Sequence, residues 1–420
     1  MRFDPMHRRR ITLGFLCAAA AVAASGRLDA AAADLRSHDQ RAIAMSAALS
    51  EIERVLPGIR GHRFRAGVTV ERMPPGDVGG FLLRKLEEEY PEERIERERL
   101  AYVHFGLLGG RDDLKSLFIA MLADQAGGFY DPKQQRLFLV QGRSFPGLVL
   151  VHEMAHALQD QVFGLDRLIE RVREDDDRLR AVQAMIEGEA HALALRYVKE
   201  FSDRGTLFEG LDDPGPGGPP RTGTPPIVPP ALMAELSFPY DRGRIWADAV
   251  SAAGGGALMD EMFRTPPEST EQILHPDKAL SPRDSPSEIP RALLPDLSPG
   301  GVRTVKVNTW GEFGIRLILG EADGAAEAAS GWDGDLYAVY AHADGALASI
   351  WITVWDTPHD AEQFEAAAAE WLSVRGAPHR LLREPHGGRS VVVIEGFAGE
   401  SQSRVEAGLP ASLEGKVSWR

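Results

Sequence analysis

Apolar positions along the chain run first at helical spacing and later in short alternating stretches. The helical spacing predicts helices over 35–56, 77–90, 100–123, 148–163, 177–201 and 231–263. Among them, alternation over 62–70 and the apolar run 137–140 predict two strands, and Gly127, Gly128 and Pro132 predict a turn at 127–132. The charge-dense stretch 87–99 reads as a solvated face. Residues 268–290 are rich in turn formers and read as irregular. From about 301 the texture changes. Residues 310–319, 321–329 and 360–374 read as helices, and 336–340, 349–355, 380–383 and 390–395 as strands. The pattern predicts an α+β protein: a mainly helical domain with a short strand edge over 34–300, then a small α+β domain over 301–420.

One segment breaks the pattern. Residues 204–230 hold eight prolines and six glycines. Proline fixes φ and lacks a donor, so this stretch is neither a helix nor a central strand but an exposed loop, linker or lid.

The N-terminus reads as a targeting segment. Arg8, Arg9 and Arg10 precede a short apolar run, and small residues at Ala31, Ala32 and Ala33 offer a cleavage site, so residues 1–33 are expected to be a secretory signal peptide. The protein is therefore expected in the bacterial periplasm or outside the cell. The only cysteine, Cys17, lies inside that segment, so the mature chain has no disulfide framework and no cysteine-based zinc site. A formal net charge of −15 argues against nucleic acid as a partner. No stretch has the ~20 apolar residues of a membrane span.

The chemistry concentrates in His152-Glu153-Met154-Ala155-His156. On a helix, positions i and i+4 share a face, so both imidazoles reach one ion, and Glu153 stands beside them as a general base. The expected number of chance matches to this pattern in this composition is ~0.03. Two histidines require a third protein ligand, leaving one position open for water. The segment Glu187-Gly188-Glu189-Ala190 offers two carboxylates about 200° apart on a helix. Glu187 shares its face with Ala184, Ala190, His191 and Ala194, whose small side chains permit close approach of the HExxH helix, so Glu187 is the expected ligand. Glu189 shares its face with Arg196, an expected ion-pair partner. The apolar run 137–140 is the expected strand along which a peptide lies.

HExxH followed by a glutamate on a later helix resembles the gluzincin class of zinc metallopeptidases. The segment at Glu187 is similar to the zinc-ligand segment of its aminopeptidase branch, but no Gly-x-Met-Glu-Asn motif is present and His191 stands where the thermolysin branch has aspartate. Residues 128–132, 151–160 and 271–276 resemble a group of largely uncharacterised exported bacterial HExxH proteins. The resemblance implies a zincin-like fold, Zn²⁺ and a peptide or protein substrate.

Around these ligands, Asp160 is a candidate to orient an imidazole, and His191 to bond Glu187 or an oxyanion. Tyr130, Tyr240 and His275 are further candidate oxyanion donors. The aromatic residues Trp332, Tyr337, Tyr340, Trp351 and Trp355 read as core, and Asp333, Asp335 and Asp356 lack calcium-loop spacing. The expected activity is peptide hydrolysis with Glu153 as base. The competing expectation is a non-catalytic secreted binding protein with a metal-stabilised scaffold.

Overall fold

The computed structural model describes residues 38–89, 91–125, 127–140, 147–201, 228–320, 324–383 and 388–409. The expected signal peptide and all but the last residues of the Pro/Gly-rich segment lie outside them.

The N-terminal part is helical. In chain order come α1 (His38–Arg60), β1 (Thr69–Met73), α2 (Pro75–Glu89), α3 (Glu92–Phe105), α4 (Leu114–Gln125), β2 (Gly128–Asp131) and β3 (Arg136–Val140). Then follow α5 (Gly147–Phe163), α6 (Leu165–Val172), α7 (Asp176–Phe201), α8 (Pro230–Arg264), α9 (Thr270–Leu274) and α10 (Pro276–Ala279). The expected helix over 100–123 is two helices, because Gly106 takes a left-handed conformation (φ 81°) that ends α3. Pro230, at the first turn of α8, has a fixed φ already suited to a helix.

The strand edge differs from the expectation. Residues 62–68 are irregular, and Gln161 holds them through the amides of Arg65 and Ala66. The expected turn at 127–132 is largely strand β2; the turn itself comes at 132–135. The sheet order is β1-β3-β2, with β1 parallel and β2 antiparallel to β3. The run 137–140 is thus the central strand, with its backbone groups committed on both sides. It cannot take up a peptide, and the edge strand on the α5 side is β2. Residues 268–290, expected irregular, include α9, started by the Ser269 hydroxyl accepting from the Gln272 amide, and α10.

The C-terminal part is α+β. It comprises β4 (Arg303–Asn308), α11 (Gly311–Leu319), α12 (Ala325–Ala329), β5 (Trp332–Ala341) and β6 (Leu347–Trp355). It continues with α13 (Pro358–Ser373), β7 (His379–Arg383), β8 (Ser390–Glu395) and α14 (Gly399–Gly408). Its five strands form one antiparallel sheet in the order β4-β5-β6-β8-β7. Both faces are covered, so β5 and β6 are buried at nearly every position and mostly apolar, with Asp333, Asp335, Ser349 and Thr353 as buried polar residues among them. On one face Phe105 of α3 lies among Trp310, Tyr337 and Trp351, with ring centroids 5.1, 5.5 and 5.6 Å away. The other face packs on Leu297, Val302, Phe397 and Val405. The expected aromatic core is present, and Trp332, Tyr337, Tyr340, Trp351 and Trp355 are all buried.

Candidate metal centre

Helix α5 is buried from Gly147 through Asp160 apart from Leu148, which accounts for the apolar residues preceding His152. It packs between α1, β2 and α7 around Leu150, Met154, Leu158, Leu193 and Tyr197. This burial fixes the two histidines one turn apart on the face towards α7. Glu187 meets them from α7. Its Oε2 lies 3.1 Å from His152 Nε2 and 3.2 Å from His156 Nε2, and the two Nε2 atoms are 3.0 Å apart. All three side chains are buried.

Helix α7 is itself locked against α8. A Cβ on Gly188 would lie 2.1 Å from the Gly243 carbonyl, and one on Gly243 would lie 2.1 Å from the Ala184 carbonyl oxygen. The two backbones touch beside Glu187, so the small residues of this face serve the α7–α8 contact as well as the approach to α5.

The electrostatics follow from burial and proximity. Burial disfavours charge on Glu187, but His156 and His152 outweigh it and hold the carboxyl down to about 2. Burial, reinforced by His156, holds His152 down to about 4. At His156, burial is outweighed by Glu187, which draws the imidazole up to about 9. Burial pushes Glu153 up to about 8. Its Oε2 accepts from the Tyr130 amide at 2.7 Å, while its Oε1, like Oε1 of Glu187, is buried and hydrogen-bonded to nothing among the described residues.

The residues around these four differ in part from the expectation. Asp160 does not orient an imidazole; it accepts from the Tyr130 hydroxyl (3.0 Å) and the Leu165 amide (3.0 Å), tying β2 to the end of α5. Gln159, not foreseen, takes that role: its Oε1 is 2.9 Å from His156 Nδ1, and its amide nitrogen donates to Glu189 Oε2 and the Ile186 carbonyl. Glu189 pairs with Arg60 at the end of α1, not with Arg196. Arg60 is remote in sequence, so helical spacing gave no signal for it.

Of the candidate oxyanion donors, Tyr240 and His191 stand beside His152, with ring centroids 6.0 and 6.2 Å from it. Burial, with Arg244 nearby, holds His191 below the ordinary histidine range. The Tyr130 hydroxyl is committed to Asp160, and His275 is bound to Glu312 of α11 at 3.0 Å.

A second acidic group, Glu271, Asp284 and Asp356, surrounds the Lys278 ammonium at 2.7, 2.9 and 2.8 Å. The lysine already fills its centre. Of the other C-terminal acids, Asp333 accepts from Ser287, and Asp335 accepts from the Trp310 and Gly311 amides and two indoles. No helix among the described residues is long and apolar enough to cross a membrane.

Residues 301–407 match a family model described as a domain of unknown function (DUF8575), which covers the five-stranded sheet and its helices. No curated protein and no solved structure matches the chain.

Proposed function

We propose that the chain is an exported zinc-dependent metallohydrolase, a peptidase in which His152, His156 and Glu187 hold the ion. The observation that carries this reading is the convergence of three buried donor atoms, two imidazole nitrogens and one carboxylate oxygen. Such a set suits zinc, with one position left for water. Among the described residues the partners of Glu187 are the two imidazoles, so a cation at this point would balance a buried carboxylate. Export rests on the N-terminal pattern over 1–33.

Zinc bound there supplies a Lewis acid that polarises the scissile carbonyl and makes water a nucleophile at neutral pH. Glu153 does the proton work. Its Oε2 is anchored by the Tyr130 amide, which leaves Oε1 to accept the proton of the attacking water and return it to the leaving amine. Tyr240 and His191 are positioned beside His152 to donate to the developing oxyanion. β2 is the edge strand beside Glu153, and its outer side, where the Tyr130 amide is held by Glu153, is where a substrate backbone would approach. Metal analysis of the dialysed mature chain tests the ligand set: one zinc per chain is expected, and its loss in Glu187→Ala. A metal-free wild type would refute the reading.

A further inference from the structure

A cavity of about 160 Å³ lies between α2, α3, α4 and the first two turns of α7 and α8. Leu86, Ile95, Leu114, Phe118, Leu179 and Leu236 give it apolar walls. The charged groups around it are matched among themselves. Glu235 accepts from Arg180 and from the Tyr102 hydroxyl, Glu98 and Asp176 both pair with Lys306, and Arg94 donates to the Arg173 carbonyl. Such a site suits a neutral, apolar group. Its place relative to the metal centre follows from helix geometry. Gln183 lines the cavity, and Glu187 is one turn further along α7. Leu236 lines it too, and Tyr240, beside His152, is one turn further along α8. Positions i and i+4 share a helix face and lie about 6 Å apart along the axis. Both helices thus set the cavity one turn from the metal centre.

We propose that this cavity receives an apolar side chain of the substrate, phenylalanine or leucine in size, next to the bond that is cut; the proposal rests on the peptidase reading above. A dry cavity of about 150 Å³ lined by leucine, isoleucine and phenylalanine admits a benzene ring. This one has the same kinds of lining residue and a similar volume. Leu236 and Phe118 set its size and are therefore specificity-determining residues, without touching the metal ligands or Glu153.

Two measurements on the full zinc-loaded chain test it. In the first, fluorine NMR follows N-acetyl-4-fluorophenylalanine amide. Saturable binding is expected, about tenfold weaker in Leu236→Trp, whose indole fills the cavity, and N-acetyl-lysine amide is expected not to displace the probe. In the second, wild type, Leu236→Trp and Phe118→Ala each cut a diverse peptide mixture. Phenylalanine and leucine are expected on one fixed side of the new termini with wild type, small residues there with Leu236→Trp, and tryptophan admitted by Phe118→Ala. Leu236 and Phe118 are only half-buried, so both variants keep the fold. Absence of saturable binding, or equal affinity in Leu236→Trp, overturns the proposal. Cleavage with a side-chain preference that neither variant moves overturns it too and leaves the peptidase reading intact. No cleavage by wild type overturns both, and binding of the probe would then assign the cavity to another ligand.

Discussion

Gln159 Oε1 lies 2.9 Å from His156 Nδ1, and the same amide donates to α7 through Ile186 and Glu189. These donations fix which end of the amide faces the imidazole. An oxygen there requires the proton on Nδ1, which leaves the Nε2 lone pair for a cation. Gln159→Leu is therefore expected to lower zinc affinity about 10–100-fold while the chain remains folded. Competition against a chromophoric chelator measures it, and unchanged affinity would contradict the role.

The contact of Gly188 with Gly243 sets the position of Glu187. A methyl group on Gly243 would sit 2.1 Å from the Ala184 carbonyl oxygen, so α8 must move away. Gly243→Ala is expected to cost about 2–4 kcal/mol of stability, read from urea unfolding, and to weaken zinc binding alongside. A variant as stable as wild type would show that the two helices are not in backbone contact.

His104 links pH to stability. Burial, with Arg375 nearby, holds its imidazole down to about 3, so the folded chain keeps it neutral. Glu395 is 3.4 Å away, but an ion pair would require the protonated form that burial suppresses, so the pair is not ionic at neutral pH. The unfolded chain takes up a proton near the ordinary histidine pKa of about 6.5. Stability is therefore unaffected above that pH and falls as pH drops from there towards 3, by roughly 1 kcal/mol per unit. His104→Gln should flatten the difference between urea midpoints at pH 7 and pH 5. An unchanged difference would mean that His104 titrates normally.

Lys278 pairs with Glu271, Asp284 and Asp356 where the helical part meets the sheet. Lys278→Met leaves Glu271, whose side chain is only 3% exposed, without its cation. Thermal unfolding is expected at lower temperature, with a loss of about 2–3 kcal/mol, because the lysine is partly exposed and solvent screens part of the effect. Equal stability would show that the carboxylates are solvated without it.

What could be read from the sequence was what depends on local geometry. The i, i+4 spacing of His152 and His156 fixed their common face, and the same reasoning selected Glu187 over Glu189. Most helices followed from apolar spacing. Strand β2 was hidden because Gly127 and Pro132 flank a strand of four residues that itself opens on Gly128, and a turn signal is stronger than so short a run. That β3 is central depends on pairing with β1, more than sixty residues away, which no local pattern encodes. Arg60, Gln159 and Tyr130 gained their roles through contacts between elements distant in sequence. Asp160 was misread for the same reason: its partner is a tyrosine thirty residues earlier.

The most direct test of the account compares wild type and Glu153→Gln, both zinc-loaded, on a diverse peptide mixture with new termini read by mass spectrometry. The substitution removes the proton acceptor and leaves the three metal ligands in place. New termini are expected with wild type and none with Glu153→Gln at equal zinc content. Equal cleavage by both proteins, or none by a zinc-loaded wild type, would contradict the central claim that His152, His156, Glu187 and Glu153 form a hydrolytic centre.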